Sequence, residues 1–172
     1  MIRYLVFRIG QAILVLWAAT VVVFLLLLFG GAGSVVSRRS IQGPSRLSVV
    51  LLAIALTLGL YAAVLPTLWN RLIGAPFPAK IAISVLLLAP LGFLMGMPFP
   101  AGLKRLLNRG DGSGDSIEWA WAMNGGASVL GSVLAMVIAL EFGLTATLAS
   151  GAAGYLLALL LHRKLPRAPA PV

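Results

Sequence analysis

The chain has 172 residues, 60% hydrophobic and only 10% charged, with a mean hydropathy of +1.05. Soluble domains are roughly 45–50% apolar and ~25% charged, and a chain this short leaves too much surface outside for a soluble fold to hide the excess. Thirteen Lys and Arg against four Asp and Glu give a net charge of +9, but these cations cluster between apolar runs, as they do beside membrane spans. They do not interleave with aromatics on an accessible surface, so nucleic acid is not an expected partner.

An apolar helix needs about 20 residues to cross the ~30 Å of hydrocarbon in a bilayer. In chain order, residues 9–29, 47–65, 81–97, 119–140 and 144–161 meet or approach that length. The first run follows Arg3 and Arg8 and is too long for the ~7–15-residue core of a secretory signal. Gly30-Gly31-Ala32-Gly33-Ser34 nevertheless offers a small-residue cleavage site, a minority reading. Residues 34–46 read as a basic loop carrying Arg38, Arg39 and Arg46. The second run ends at Pro66, and residues 67–73 place Leu68, Trp69, Leu72 and Ile73 on one face, which suits a short interfacial helix.

The third run carries Pro90, which removes one backbone hydrogen bond and strands the carbonyl of Leu86, so a kink is predicted there. Pro98 and Pro100 break the chain at the membrane surface, before a second short interfacial helix with Lys104 and Arg105. These three prolines are the candidate hinges. Residues 110–115 read as a flexible linker, with Asp115 and Glu118 spaced as N-cap and N3 of the next helix. The link Glu141-Phe142-Gly143 makes an antiparallel hairpin of the last two spans, and the Pro- and Ala-rich tail, residues 164–172, is expected to be disordered.

Small residues at every fourth position let helix backbones approach closely in lipid. Ala127, Gly131, Ala135 and Ala139 do this in the fourth span, and Ala146, Ser150, Gly154 and Ala158 in the fifth. These two faces are expected to pack against each other, with Gly92 and Gly96 forming a shorter version in the third span. Asn124 is the most polar side chain well inside a span, with Ser128 and Ser132 near it. Interhelical hydrogen bonding is the plain reading of that group, and a ligand contact through Asn124 and Ser128 is the sharper one.

The fold class is thus an all-α integral membrane protein, a bundle of about five transmembrane helices with short interfacial helices. Residues 1–33 form an N-terminal helix, 34–46 a loop, 47–163 a four-helix membrane module and 164–172 a tail. Lys and Arg counts give orientation. One side collects three each from Arg38, Arg39 and Arg46, from Lys104, Arg105 and Arg109, and from Arg163, Lys164 and Arg167; the other holds Arg3, Arg8, Arg71 and Lys80. Nine against four places the C-terminus in the cytoplasm and the N-terminus outside a bacterial inner membrane.

No catalytic set emerges. There are no cysteines, which excludes disulfides and thiolate chemistry. His162 alone supplies little for a metal site, and the Asp111–Asp115 segment lacks the later glutamate of a calcium loop. No metal or cofactor is expected. No charged residue sits near a span centre, which argues against an ion-coupled transporter, and there is no phosphate loop or Ser/His/Asp set.

From about residue 46 to 163 the chain resembles the C-terminal membrane portion of multi-spanning spermidine synthase-like proteins. The resemblance rests on APLGFLMGMPFPAGL from Ala89 to Leu103, on WAWAMNGGASVLGS from Trp119 to Ser132, and on residues 143–155. It implies membrane helices joined to a soluble aminopropyltransferase-like domain, whose nucleotide-binding turn and paired acidic residues this sequence lacks. Residues 1–29 are similar, through Arg3-Tyr4-Leu5, Arg8, Gln11-Ala12 and Val23-Phe24-Leu25-Leu26, to the first helix of dipeptide/oligopeptide-type ABC transporter permeases. A chimera, a truncated product or a designed sequence would each account for that pairing.

The expected function is a non-catalytic membrane module, acting as anchor, scaffold or partner-binding subunit. Its partners would be the lipid bilayer, other membrane subunits or a soluble synthase-like domain. The alternatives are a permease-like transport component and a small membrane enzyme acting on a polyamine or a lipid.

Overall fold

The structure, a computed structural model, describes residues 1–41, 44–108 and 114–164, and all of their regular structure is helical. The elements are α1 (Ile2–Ser40), α2 (Pro44–Leu72), α3 (Phe77–Met95), α4 (Pro98–Asn108) and α5 (Gly114–Lys164). Four helical stretches, Arg3–Arg39, Ser45–Leu72, Pro78–Leu107 and Gly114–Lys164, are long and apolar enough to cross a membrane, where the sequence pattern predicts five. The difference lies at Gly143, where the last two expected spans run together as one stretch across a kink.

Several predicted boundaries move for one reason: glycine and proline lower helix propensity without forbidding a helix that neighbours hold. Residues 30–33 do not end α1, which continues as helix through the expected basic loop to Ser40, where the Ile41 N–H donates to the Ser37 carbonyl. Pro66 lies inside α2, so residues 67–72 continue that helix and form no separate interfacial element. Pro90 likewise lies inside α3. Pro44, by contrast, opens α2 at a first-turn position, where its missing N–H costs nothing.

The break after α3 falls where Pro98 and Pro100 predict it. Neither proline can donate to the carbonyl four residues before it. The Leu94 carbonyl, which Pro98 would otherwise serve, accepts the Met97 N–H at 3.2 Å instead. Pro98 then starts α4. Its chain of Ala101 buried, Leu103, Arg105 and Leu106 half-buried, and Gly102 and Lys104 exposed gives it two faces.

Helix α5 is bent at Gly143, whose φ of 83° and ψ of 173° belong to no helix. That backbone is accessible essentially to glycine alone, so Gly143 ends one arm and starts the next. The expected three-residue link is this single residue, with Glu141 and Phe142 still helical. A straight helix would hold Trp121 and His162 about 62 Å apart at ~1.5 Å per residue. Both contact α4, whose 11 residues span only about 16 Å: Trp121 packs edge-on against Phe99, with centroids 4.9 Å apart, and His162 meets Arg105 at 3.1 Å. The second arm must therefore run back alongside the first, with α4 across the open end.

The buried core is small and lies on α2. Ile41, Leu47, Leu51, Met97, Ala101 and Leu159 form one cluster, and Ile54, Leu58 and Ala152 a second. Leu148, Ala152, Tyr155 and Leu159 line the face of the second arm that meets α2. Their spacing of four, three and four is that of one helical stripe. The rest is open: residues 3–24 of α1 and 121–134 of α5 are exposed at every position.

Candidate functional site

Helices α1 and α3 approach closely at their glycines. A Cβ built on Gly33 would overlap the Phe93 carbonyl, and one on Gly96 the Gly30 carbonyl, while one on Gly92 would come within 3.3 Å of the Phe29 Cβ. The hydrogen that replaces Cβ in Gly33 and in Gly96 therefore points at a carbonyl oxygen, the arrangement of a weak Cα–H···O bond worth about 0.5–1 kcal/mol. Gly92 and Gly96, singled out from the sequence, lie in this crossing. Their partners are in α1, where Gly30 and Gly33 read more readily as a helix end. The missed signal was the spacing of Gly30, Gly33, Ser34 and Ser37, which puts four small residues on one face.

At the end of that crossing the buried Ser37 hydroxyl donates to the Met97 carbonyl at 3.0 Å. The Lys104 ammonium donates to the Arg38 carbonyl at 3.3 Å, and the Arg105 guanidinium meets His162 Nε2 at 3.1 Å. Helix α4 is thus tied to the last turn of α1 on one side and to the last turn of α5 on the other. Pro98 and Pro100 make this possible, since they end α3 and turn its continuation across the bundle. Nearer the bundle centre the Tyr61 hydroxyl of α2 donates to the Leu87 carbonyl at 2.7 Å. Leu87 lies one residue past Leu86, the carbonyl that Pro90 leaves without its helical donor, so the Tyr61 bond ties α2 to α3 beside that position.

The other sequence candidates are not brought together. A Cβ on Gly131 or on Gly154 would meet no atom within 4 Å. Ala127 and Ser150 are exposed and Ala135 is half-buried. The second arm turns Leu148, Ala152, Tyr155 and Leu159 to α2, and the stripe through Ser150 and Gly154 lies on the other side of the same helix. Asn124 and Ser128 are exposed on the first arm, and the Ser132 hydroxyl donates within its own helix, to the Val129 carbonyl. Asp115 sits in the first turn of α5 and Glu118 just past it, rather than at N-cap and N3, because the helix already includes Gly114. The rest of the 110–115 linker and nearly all of the tail lie outside the described residues.

Among the described residues no group of three or more His, Asp and Glu could hold a metal ion. The depression lined by Arg8, Gln11, Ala12, Val15 and Ala19 is walled by α1 alone, so it encloses no ligand. What the structure assembles is a junction of helix ends, rich in cations and fixed by polar contacts. No protein-family model, no curated protein and no solved structure matches the chain.

Proposed function

We propose that the chain is a non-catalytic membrane module, an anchor or scaffold that holds a partner subunit, and that α1 to α5 lie in one bilayer. The observation that carries this reading is the length of α1 between its charges. Arg8 and Arg38 are separated by about 45 Å of helix at ~1.5 Å per residue, and a bilayer with its headgroup layers measures ~40–45 Å. Each arm of α5 also exceeds the ~20 residues of a crossing, and the bend at Gly143 lets both lie in the same membrane. The first arm, exposed at every position from 121 to 134 and carrying Asn124 and Ser128 there, supplies a helix surface for another subunit. Unpaired amides in hydrocarbon seek such interhelical hydrogen bonds.

On this reading the last turn of α1, α4 and the last turn of α5 face the cytoplasm, as the nine-to-four charge count favours. Reporter fusions after Leu107 and after Val172 are expected to report cytoplasm, and an external signal at either position overturns the orientation. The resemblance to the membrane portion of spermidine synthase-like proteins supports reading these residues as a membrane module. Calorimetric titration with decarboxylated S-adenosylmethionine is then expected to show no saturable heat, and tight saturable binding rejects the non-catalytic reading.

A further inference from the structure

Three stretches far apart in sequence bring cations to one end of the bundle. Arg38 and Arg39 end α1, Lys104 and Arg105 lie on α4, and Arg163 and Lys164 end α5. Two contacts fix their neighbourhood: Lys104 on the Arg38 carbonyl, and Arg105 on His162. Among the described residues, the carboxylates at the same end are Asp115, in the first turn of the arm that reaches α4 through Trp121, and Glu118, just past that turn. Six cations against two carboxylates leave this end strongly positive. Cations gathered at one end of a bundle repel one another, and an anion that joins them offsets that repulsion.

The surroundings say what kind of anion. Leu160 and Leu161 are exposed directly before His162, Arg163 and Lys164, and Leu107 and Trp121 are exposed beside Arg105 and Phe99. A ligand that satisfies both surfaces has a negative headgroup and apolar chains. We propose that this end of the bundle is a binding surface for the headgroup of an anionic phospholipid, gripped between α4 and the last turns of α1 and α5. Lys104 and Arg105 are its centre, because the contacts of α4 set them between the other two pairs. The inference rests on the membrane-spanning reading above and adds a lipid class and a place to it.

Tryptophan fluorescence tests it, since Trp119 and Trp121 lie at this end. The probe is the full chain carrying Trp17→Phe and Trp69→Phe, reconstituted into phosphatidylcholine vesicles that contain a minor fraction of brominated phosphatidylglycerol or, in parallel, brominated phosphatidylcholine. The anionic quencher is expected to quench more strongly at equal mole fraction and to saturate. Each cation near an anionic surface contributes about a fivefold change in affinity, so Lys104→Gln with Arg105→Gln is expected to weaken the preference on the order of 25-fold. Arg38→Gln with Arg39→Gln should weaken it similarly and stands in if the first variant does not fold. Arg3→Gln with Arg8→Gln, at the far end of α1, should leave it unchanged.

Equal quenching by the two lipids overturns the proposal, as does a loss of preference in the Arg3 and Arg8 variant that matches the loss in the α4 variant. Abolition of the preference by inorganic phosphate assigns the surface to a free anion and overturns the lipid reading. Failure of the chain to reconstitute at all strikes the membrane-spanning reading instead.

Discussion

Two pairs of helices carry glycines at close spacing, and they behave oppositely. In the α1–α3 crossing, Gly33 and Gly96 face backbone carbonyls so closely that no side chain fits. Between the arms of α5, Gly131 and Gly154 face open space. The small-residue pattern is at least as regular in α5, yet the contact forms in α1 and α3. Small residues permit close packing but do not drive it. What decides is where the chain is anchored. Ser37 on Met97 and Lys104 on Arg38 clamp α1 to the α3–α4 junction, whereas the first arm of α5 is held at Trp121 and at Gly143 and touches little between them.

The largest expected effect breaks the tight crossing. Gly33→Ala or Gly96→Ala places a methyl on a backbone carbonyl, and overpacking against backbone that cannot move aside costs about 3 kcal/mol. Thermal unfolding in detergent should show a large drop for either variant, and an unchanged midpoint would mean that the two helices do not meet there.

Next in size is the bend itself. Gly143→Ala forces a side chain into a conformation that costs about 1–3 kcal/mol, and it should either destabilise the chain or straighten α5. Because the sequence has no cysteine, spin labels at Glu118→Cys and Arg163→Cys can read the difference. A straight helix sets them about 68 Å apart, and the folded-back arms should give less than half of that in the parent chain. A distance near the straight value would remove the fold-back.

Smaller effects sharpen the account of the clamp. Ser37→Ala deletes a buried hydroxyl with one carbonyl partner and should cost about 1 kcal/mol, with Tyr61→Phe equal or slightly less because Tyr61 is only half-buried. If Ser37→Ala melts with the parent chain, the hydroxyl contributes nothing to the junction. The smallest expected effect is the most discriminating. Gly131→Leu and Gly154→Leu should each stay within about 0.5 kcal/mol of the parent, as exposed positions do. A marked drop in both would show that the arms pack through the faces the sequence pattern suggests.

Much of the fold was legible in the amino-acid sequence. Among the described residues, the apolar runs locate the four helical stretches that could cross a membrane, because length and hydropathy depend on no tertiary contact. Pro98 and Pro100 locate the α3–α4 break, since a proline lacks its N–H whatever surrounds it. Gly143 falls at the expected turn, as positive φ is cheap for glycine alone.

Only the tertiary structure decided which breakers act and which small faces meet. Gly30 and Gly33 resemble a helix end in sequence and form a helix crossing in space, because α3 presents Gly92 and Gly96 opposite them. Pro66 and Pro90 leave their helices continuous, with Tyr61 donating beside Pro90 from a neighbour 26 residues away in sequence. Helix propensity is a local quantity of about a kcal/mol per residue. Packing and hydrogen bonds from distant segments exceed it, and no local pattern records where those segments will lie.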